Sequence, residues 1–299
     1  GVGGSAALTF GSLGARGAGA TLDLSVPVGG SIIFSTAPAS INGIVGGWAT
    51  FNGVNWVVPG PALSAATALS SYTPMAASGL STTANYLSTA DFGVTGAETV
   101  NSLKLAGAQT LTLGGILTVS SGGVLFDNST GAATITGGTL GASASEVIIH
   151  TGGSTAANAL TVASFISGGA GSVTKSGNGT LIVSAANTFT GGMTVSAGTV
   201  TLGNALAAGT GLITVIPGAN LTLSAAATVS NLAGNGGTVN LGANQLTLNG
   251  TSTNNFYGQI LGTGLILKQN TGTQTLSGPV FTTGGVTVDN GTLAFGSTT

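Results

Sequence analysis

The residues of this chain that could carry acid–base chemistry are few. Ten of its 299 residues are charged, and one more is a histidine. Asp127 and Glu146 are 19 residues apart, with His150 close behind. If that interval is one turn of a coil, the carboxylates stack as a glycoside hydrolase or a polysaccharide lyase requires. The alternative is that both lie at turns or on an outer face, solvated and unrelated, and the sequence favours this second interpretation.

The sequence does not support other common kinds of catalytic site either. A Ser-His-Asp triad would depend on His150, but no nucleophile elbow is present, and the residue is more typical of a strand end. The chain has no cysteine, no Asp-x-Asp run for calcium and no glycine-rich loop leading into a helix. Arg16 and Lys104, which could assist a lyase, are far from the carboxylates in sequence. We therefore predict no catalytic residue, metal site or cofactor, with a polysaccharide-degrading enzyme as a minor alternative.

Charge and hydropathy exclude further classes of protein. Charged residues make up 3% of the chain and the net charge is −2, against about 25% charged residues in ordinary domains. This offers no basic patch for nucleic acid and no polybasic membrane anchor. Mean hydropathy is +0.54, but polar residues interrupt every apolar run before the ~18 residues of a membrane span. The opening GVGGSAALTF has neither Met nor a basic region, so we expect a processed or partial product.

From about residue 100 the sequence alternates branched apolar residues with threonine over short stretches bounded by glycine or asparagine. This pattern is typical of β-strands joined by tight turns, and the glycine content disfavours helices. The predicted strands are TLTL (110–113), ILTV (116–119), ATIT (133–136), VIIH (147–150), TLIV (180–183), TVTL (199–202), LITV (212–215), LTL (221–223), TVNL (238–241), QLTL (245–248), LILK (265–268) and TLAF (292–295).

A longer repeat underlies these strands. Residues 179–203 align without a gap on residues 272–296, at an offset of 93, with eleven of 25 positions identical. Lys175 falls on Lys268 at the same offset, which indicates a structural niche for lysine rather than two active sites. Repetition on this scale favours a solenoid over a sandwich or a barrel.

We therefore predict an all-β fold, a right-handed parallel β-helix (β-solenoid), with a less regular N-terminal region. The solenoid is expected over 100–299, with repeat units at about 165–203 and 259–296. With roughly 20 residues per coil and ~4.8 Å between strands, it would form a rod about 50 Å long. Each Gly-Gly pair of the repeat turns, Gly191-Gly192 and Gly284-Gly285, should contain one residue with positive φ.

The first 99 residues differ in composition. Both tryptophans and five of the seven prolines lie there, and 59–93 is predicted to be a long excursion, which serves either as a cap on the end of the core or as a functional loop. Trp48 and Trp56 could form a platform for a sugar ring, but the turn signal Asn52-Gly53 lies between them, and core packing is the alternative. The candidate interaction residues of this region are Trp48, Trp56, Tyr72 and Tyr86.

The stretch FISGGAGSVTKSGNGTLIVSAANTFTGGMTVSAGTVTLGNA, residues 165–205, resembles the autotransporter-associated β-strand repeat. Its lysine, its Gly-Thr-Leu strand and its Asn-Thr-aromatic-Thr-Gly turn match at Lys175, Gly179, Thr180, Leu181, Asn187, Thr188, Phe189, Thr190 and Gly191. The second copy departs from the pattern, with Val280 and Phe281 where Asn-Thr is expected. INGIVGGWATFNGVNWV (41–57) and 100–126 are similar to leader modules of large bacterial surface proteins that carry these repeats.

The resemblance implies an extracellular or bacterial cell-surface β-helix that builds a fibre or stalk, and it implies no enzymatic activity. The predicted partners are further copies of the chain, joined head to tail through the strand-like C-terminal segment with Leu293 and Phe295. Cell-surface polysaccharide is the other candidate partner. The alternative function is an adhesin or carbohydrate-binding protein in which the rod is a spacer.

Overall fold

A computed structural model describes residues 6–127, 130–143, 146–152, 158–167 and 171–296, and the regular elements it assigns there are all β-strands. The parallel strands stack into a β-solenoid, so the predicted all-β fold class is confirmed. A smaller N-terminal region precedes the solenoid. Its six strands are β1 (Ala7–Phe10), β2 (Leu22–Leu24), β3 (Ser31–Phe34), β4 (Ala49–Phe51), β5 (Asn55–Val58) and β6 (Thr67–Ala68).

The first half of the solenoid contains the longer strands. They are β7 (Thr73–Pro74), β8 (Asn85–Ser88), β9 (Phe92–Val94), β10 (Glu98–Val100), β11 (Ser102–Ala106), β12 (Gln109–Val119), β13 (Gly123–Asp127), β14 (Ala133–Ala142), β15 (Glu146–Thr151), β16 (Leu160–Val162), β17 (Phe165–Ser167), β18 (Ser172–Ser176) and β19 (Thr180–Val183).

The second half is built from strands of two to four residues. They are β20 (Met193–Val195), β21 (Thr199–Leu202), β22 (Ile213–Val215), β23 (Asn220–Leu223), β24 (Ala227–Val229), β25 (Leu232–Ala233), β26 (Thr238–Asn240), β27 (Leu246–Leu248), β28 (Asn254–Phe256), β29 (Gln259–Gly262), β30 (Ile266–Lys268), β31 (Thr273–Leu276), β32 (Val280–Thr282), β33 (Val286–Val288) and β34 (Thr292–Phe295).

Successive coils place these strands in three columns. The first column runs β7, β8, β11, β13, β15, β18, β20, β22, β25, and a bridge between Gly234 and Phe256 continues it into β28, β31 and β34. The second column starts with β9 and β10 against β12 and runs through β14, β16, β19, β21, β23, β26 and β29 to β32. The third comprises β24, β27, β30 and β33.

The register sets the coil at about twenty residues, as predicted. Partners are 19 residues apart in Thr180↔Thr199 and 21 apart in Leu202↔Leu223. Within each strand, side chains alternate between inside and outside. In β19, Leu181 and Val183 are fully buried in the core while Thr180 and Ile182 are half-buried on the outer face. Each fully buried Leu or Val contributes about 1.5–3 kcal/mol by leaving water.

Glycine is needed at the repeat corners, and the predicted positive φ is present there. Gly192 has φ of 88° and Gly285 has φ of 83°, while the first glycine of each pair is not in this region. A Cβ on Gly192 would lie 2.3 Å from the carbonyl oxygen of Leu212 in the next coil. The corner at Gly192 therefore needs both the backbone freedom and the small size of glycine.

The two lysines that the repeat aligns both close a corner from inside. Lys175 Nζ donates to the carbonyls of Ser176 and Gly177 in its own turn and of Ala197 in the next coil. Lys268 Nζ likewise donates to two carbonyls of its own turn and to that of Gly250 in the previous coil. Both side chains are fully buried. These bonds satisfy carbonyls that the tight turn leaves unpaired.

The two repeats do not lie on the same faces. Lys175 lies next to the last residue of β18 in the first column, whereas Lys268 ends β30 of the third. The offset of 93 residues is not a whole number of coils of about twenty residues, so the second repeat is rotated by one face. The lysine niche thus depends on the local corner and not on a particular face.

The N-terminal region lies along the outer side of the first column. Its strands β2, β4, β5 and β6 form one small sheet, and β1 pairs with β3. The backbones of Gly47 and Gly123 approach so closely that a Cβ on Gly47 would lie 2.3 Å from the amide nitrogen of Gly123. Farther along, Ser196 donates to the carbonyl of Gly19. This region therefore covers a side of the solenoid.

The predicted excursion at 59–93 is also only partly outside the stack. Its strands β7, β8 and β9 occupy the first coils of the first and second columns. Tyr86 in β8 is buried in the solenoid core. The sequence pattern did not predict these strands, because they are short, contain few branched residues and include a proline, which is uncommon within strands.

Candidate functional site

The chemistry-bearing side chains gather where the N-terminal region meets the first column. A cavity of about 460 Å³ lies in this interface. Among the residues that line it are Asp23, Asn52, His150, Ser176 and Asn178. The β4–β5 hairpin forms one wall of this cavity with Asn52 and Gly53 of its turn. Both residues have positive φ values, as the Asn-Gly turn signal predicts.

His150 sits near the end of β15 and links both sides of this interface. Its Nδ1 contacts the hydroxyl of Ser176 in the next coil, and its Nε2 lies 3.0 Å from Thr50 Oγ1 of the hairpin. Thr50 in turn donates to Asp23 Oδ1 at 2.9 Å. If the imidazole proton is on Nε2, each donor in this series of hydrogen bonds has an acceptor. The Ser176 hydroxyl donates to His150 Nδ1, His150 Nε2 donates to Thr50, and the Thr50 hydroxyl donates to Asp23.

This arrangement brings a serine, a histidine and an aspartate together, which the sequence did not predict, but it is poorly suited to nucleophilic catalysis. Burial first, and then the nearby Lys175, lower the pKa of His150, and with the opposing effect of Asp23 it comes to about 4. An imidazole of that pKa is a weak general base near neutral pH. Ser176 is buried as well. This series of hydrogen bonds therefore holds the hairpin against the solenoid through a neutral imidazole.

A second polar contact lies at the other end of β15. The buried carboxylate of Glu146 forms an ion pair with Arg16 and accepts hydrogen bonds from Thr174 and from the amide of Gly19. The expectation that Glu146 is solvated is therefore wrong, because the N-terminal region covers the face on which it lies. Arg16, remote in sequence, is its direct partner.

The paired carboxylates of a glycosidase are not formed. In the pairing of β13 with β15, Gly123 faces Ile148 and Phe126 faces Thr151. Asp127 and Glu146 therefore lie at opposite ends of neighbouring strands, roughly 15–20 Å apart by strand rise. They do not stack as one coil of separation would suggest.

A third cluster joins the hairpin to β11 and β13. Lys104 Nζ lies 2.8 Å from Asn55 Oδ1, 3.9 Å from Asp127 Oδ2 and 5.3 Å from the centre of the Tyr72 ring. The Tyr72 hydroxyl donates to the same Asn55 oxygen at 3.3 Å. Only 8% of Lys104 is exposed. Burial lowers the pKa of Lys104, and the nearby Asp127 opposes that shift.

The aromatic residues proposed for interaction are mostly inside. Trp56 is fully buried against Ile44 and Leu125, and Tyr86 is buried in the solenoid core. Neither face of the Trp56 indole is open to a sugar ring, so the prediction of a stacking platform that includes Trp56 is wrong. Trp48 is half-buried beside the N-terminal cluster, and Tyr72 is half-buried at the Lys104 cluster.

The last described coil presents an open edge. Strands β32, β33 and β34 are each terminal in their columns. Leu293 is half-buried against the core, while Phe295 is exposed, as are Phe281, Val286 and Val288. This coil combines unpaired backbone groups with apolar side chains.

Sequence reasoning missed Thr50, Asn55 and Ser176. One signal indicates a covered face without identifying these three residues. In β11, β13 and β15 nearly every residue is buried, and the apolar runs VLF in β13 and VII in β15 break the strict alternation of the other strands. Such runs indicate a strand covered on its outer side.

Across the described ranges, no three His, Asp or Glu side chains are grouped so that they could hold a metal ion. In the same part of the chain, no helix has the length and the apolar character for a membrane crossing. Fold and interface together define a parallel β-solenoid with a second layer docked along one side.

Comparison with known proteins supports this class and refines it. Residues 173–202 and 266–295 match the model of the passenger-associated transport repeat. Over 112 residues the chain is 49% identical to the adhesin BmaC autotransporter of Brucella suis biovar 1 (strain 1330). That match covers 37% of this chain and 3% of that protein. No solved structure matches the chain.

The two matched segments are separated by the same offset that the internal alignment gave, and the resemblance to autotransporter repeats is confirmed. The chain thus contains two segments similar to the passenger-associated transport repeat, set in a parallel β-solenoid. These findings indicate a location at the bacterial cell surface or outside the cell.

Proposed function

We propose that this chain is a stalk segment of a surface adhesin, which holds an adhesive part away from the bacterium. The observation that carries the proposal is the unbroken second column from β12 to β32, in which each strand pairs in parallel with the next. Such a ladder is stabilised coil by coil and needs no other domain to remain straight.

The outer faces support a spacer role. They are rich in threonine and asparagine and nearly free of charge, as β21 and β23 illustrate with their outward Thr199, Thr201, Asn220 and Thr222. These faces therefore form an uncharged polar exterior. A neutral hydroxyl surface does not attract charged ligands over a distance.

Deletion of residues 199–258 tests the stalk. Thr199, Asn220, Thr238 and Gln259 occupy the same position in successive coils, so the deletion removes three whole coils and joins Gly198 to Gln259. In bacteria that display a sugar-binding domain on top of the chain, we expect weaker attachment under flow with unchanged amounts of protein at the surface. Attachment that is unchanged by the deletion would contradict the stalk.

A second candidate function is direct adhesion, favoured by the adhesin relative and by exposed apolar side chains of the N-terminal region, including Leu8, Phe10 and Ile41. Cell-surface polysaccharide is the ligand class to be tested. Beads coated with the parent chain would then bind saturably, and Phe10→Ser with Ile41→Ser would reduce binding. No saturable binding by the parent chain eliminates this candidate.

Head-to-tail association of the isolated chain is a further proposal, and the open edge of β32, β33 and β34 supports it. Unpaired strand edges with apolar side chains favour pairing with another chain. Sedimentation of the parent chain should shift with concentration, and Phe295→Lys should abolish that shift. Leu206→Lys, on a side of the solenoid, is the control. Equal association of parent and Phe295→Lys chains excludes this joint.

A further inference from the structure

We propose that Lys104 and Asn55 become joined by an intramolecular isopeptide bond. This bond would link the β4–β5 hairpin covalently to β11 of the first column. Every group that such a reaction needs is present in the Lys104 cluster: an amine nucleophile, a side-chain amide, a carboxylate and a hydrogen-bond donor at the amide oxygen.

The first requirement is contact between the reacting atoms. Lys104 Nζ lies 2.8 Å from Asn55 Oδ1. Because a C=O bond is about 1.2 Å long, Nζ is at most about 4 Å from the carbonyl carbon Cγ. Reacting atoms in a near-attack arrangement are about 3–3.5 Å apart. A rotation of the lysine side chain within its own site is sufficient to close the difference.

The second requirement is a neutral amine. Lys104 is buried between β13 and the hairpin, and burial disfavours its charged form. The Asp127 carboxylate at 3.9 Å can accept a proton from Nζ. The buried position thus makes Lys104 a better nucleophile than a surface lysine.

The third requirement is stabilisation of the oxygen on which negative charge develops. The Tyr72 hydroxyl donates to Asn55 Oδ1 at 3.3 Å, while the amide of Trp56 donates to the Tyr72 oxygen at the same distance. Burial raises the pKa of Tyr72 to about 12, so the hydroxyl keeps its proton at neutral pH. Such a fixed donor stabilises the tetrahedral intermediate.

The reaction balances without an oxidant or a co-reactant. Lys104 Nζ attacks Asn55 Cγ, and a new C–N bond forms. The proton that Nζ loses passes to the Asp127 carboxylate and from there to Asn55 Nδ2. The Cγ–Nδ2 bond then breaks, and one ammonia leaves. The product is a secondary amide between the two side chains.

Intact-mass spectrometry of the folded chain is the test. We expect a mass lower than the sequence mass by one ammonia. Trypsin should fail to cleave after Lys104 while it cleaves after Lys175, whose Nζ contacts backbone carbonyls alone. Fragmentation should place the linkage between Lys104 and Asn55.

Variants separate this bond from other losses of ammonia. Lys104→Arg keeps the charge but has no primary amine, and it should show the full sequence mass, as should Asn55→Ala. Asp127→Asn should slow bond formation by about a hundredfold, the usual contribution of general acid–base catalysis. Lys175→Arg should leave the linkage intact.

Two results would overturn the proposal. One is a parent chain with the full sequence mass and normal cleavage after Lys104. The other is an ammonia loss that persists in Lys104→Arg or that maps to an Asn-Gly pair such as Asn52-Gly53, where a succinimide forms instead.

Discussion

At the scale of single residues, Gly192 and Gly285 occupy equivalent repeat positions but have different surroundings. Both have positive φ, which costs a residue with a Cβ about 1–2 kcal/mol. A Cβ on Gly192 would lie against the carbonyl of Leu212, whereas nothing lies within 4 Å of one on Gly285. The two positions therefore separate backbone strain from steric crowding.

We predict that Gly192→Ala lowers the free energy of unfolding more than Gly285→Ala does. The second substitution should cost about 1 kcal/mol from backbone strain alone, and the first at least about twice that. Urea denaturation of the two variants and the parent checks this. Equal losses in both variants would show that the coils separate to make room for the methyl group.

His150 makes stability depend on pH. Burial lowers its pKa to about 4 in the folded chain, against an ordinary value of 6.5. Below pH 6.5 the unfolded chain binds a proton that the folded chain does not, so the stability that depends on His150 falls as the pH falls from 6.5 to 4 and changes little below that. The shift of about 2.5 units corresponds to about 3 kcal/mol.

The measurement is the difference in unfolding free energy between the parent and His150→Asn across pH 4–8. This difference removes the contribution of the carboxylates, which titrate in both chains. We expect the advantage of the parent to be largest above pH 6.5 and to shrink toward pH 4. An advantage that is constant over this range would mean that His150 is not buried in its neutral form.

At the scale of elements, the corner lysines should contribute equally although they lie on different columns. Lys175→Met and Lys268→Met each leave turn carbonyls without a donor. We expect each to cost about 1–3 kcal/mol and to speed amide exchange at 177–179 or 270–272 respectively. Thr201→Val, on the outer face of β21, is the control and should cost less than about 0.5 kcal/mol. Unchanged exchange at either turn would contradict the niche.

The strands with one outer face in solvent could be predicted from the sequence. From 180 onward, each predicted alternation coincides with a strand, because an inward Val or Leu and an outward Thr record the two environments directly. The coil length and the lysine niche also followed from the repeat. These features are local, and so the order of residues contains them.

The docked N-terminal region could not be predicted, because its contacts join residues far apart in sequence. Thr50 meets His150 across 100 residues, and Gly19 meets Ser196 across 177. Alternation is lost in β15, where both faces are covered, so EVIIHT resembles an ordinary buried strand. The Lys104 cluster could not be predicted for the same reason, because Asn55 and Lys104 are 49 residues apart and meet only when the hairpin packs against β11.

At the scale of the whole molecule, the solenoid and its side layer have different roles. The first column contains twelve strands among the described residues, which corresponds to a ladder about 50 Å long. The side layer covers its coils from Asn85, which donates a hydrogen bond to the carbonyl of Asn42, to Ser196. Coils beyond that point are held by core packing, by backbone pairing and by side-chain hydrogen bonds such as that of Lys268 to Gly250.

The central claim is that one straight ladder runs through the chain, and spin-label distances test it most directly. Because the chain has no cysteine, paired Cys substitutions label only the chosen sites. Phe281, Thr201, Thr161 and Thr110 occupy the same position in different coils of the second column. Counted from Phe281, Thr201 is four coils away, Thr161 six and Thr110 eight. We predict distances near about 19, 29 and 38 Å, which rise by about 10 Å for every two coils. Distances that level off or shorten from Thr201 to Thr110 would contradict the ladder and, with it, the stalk.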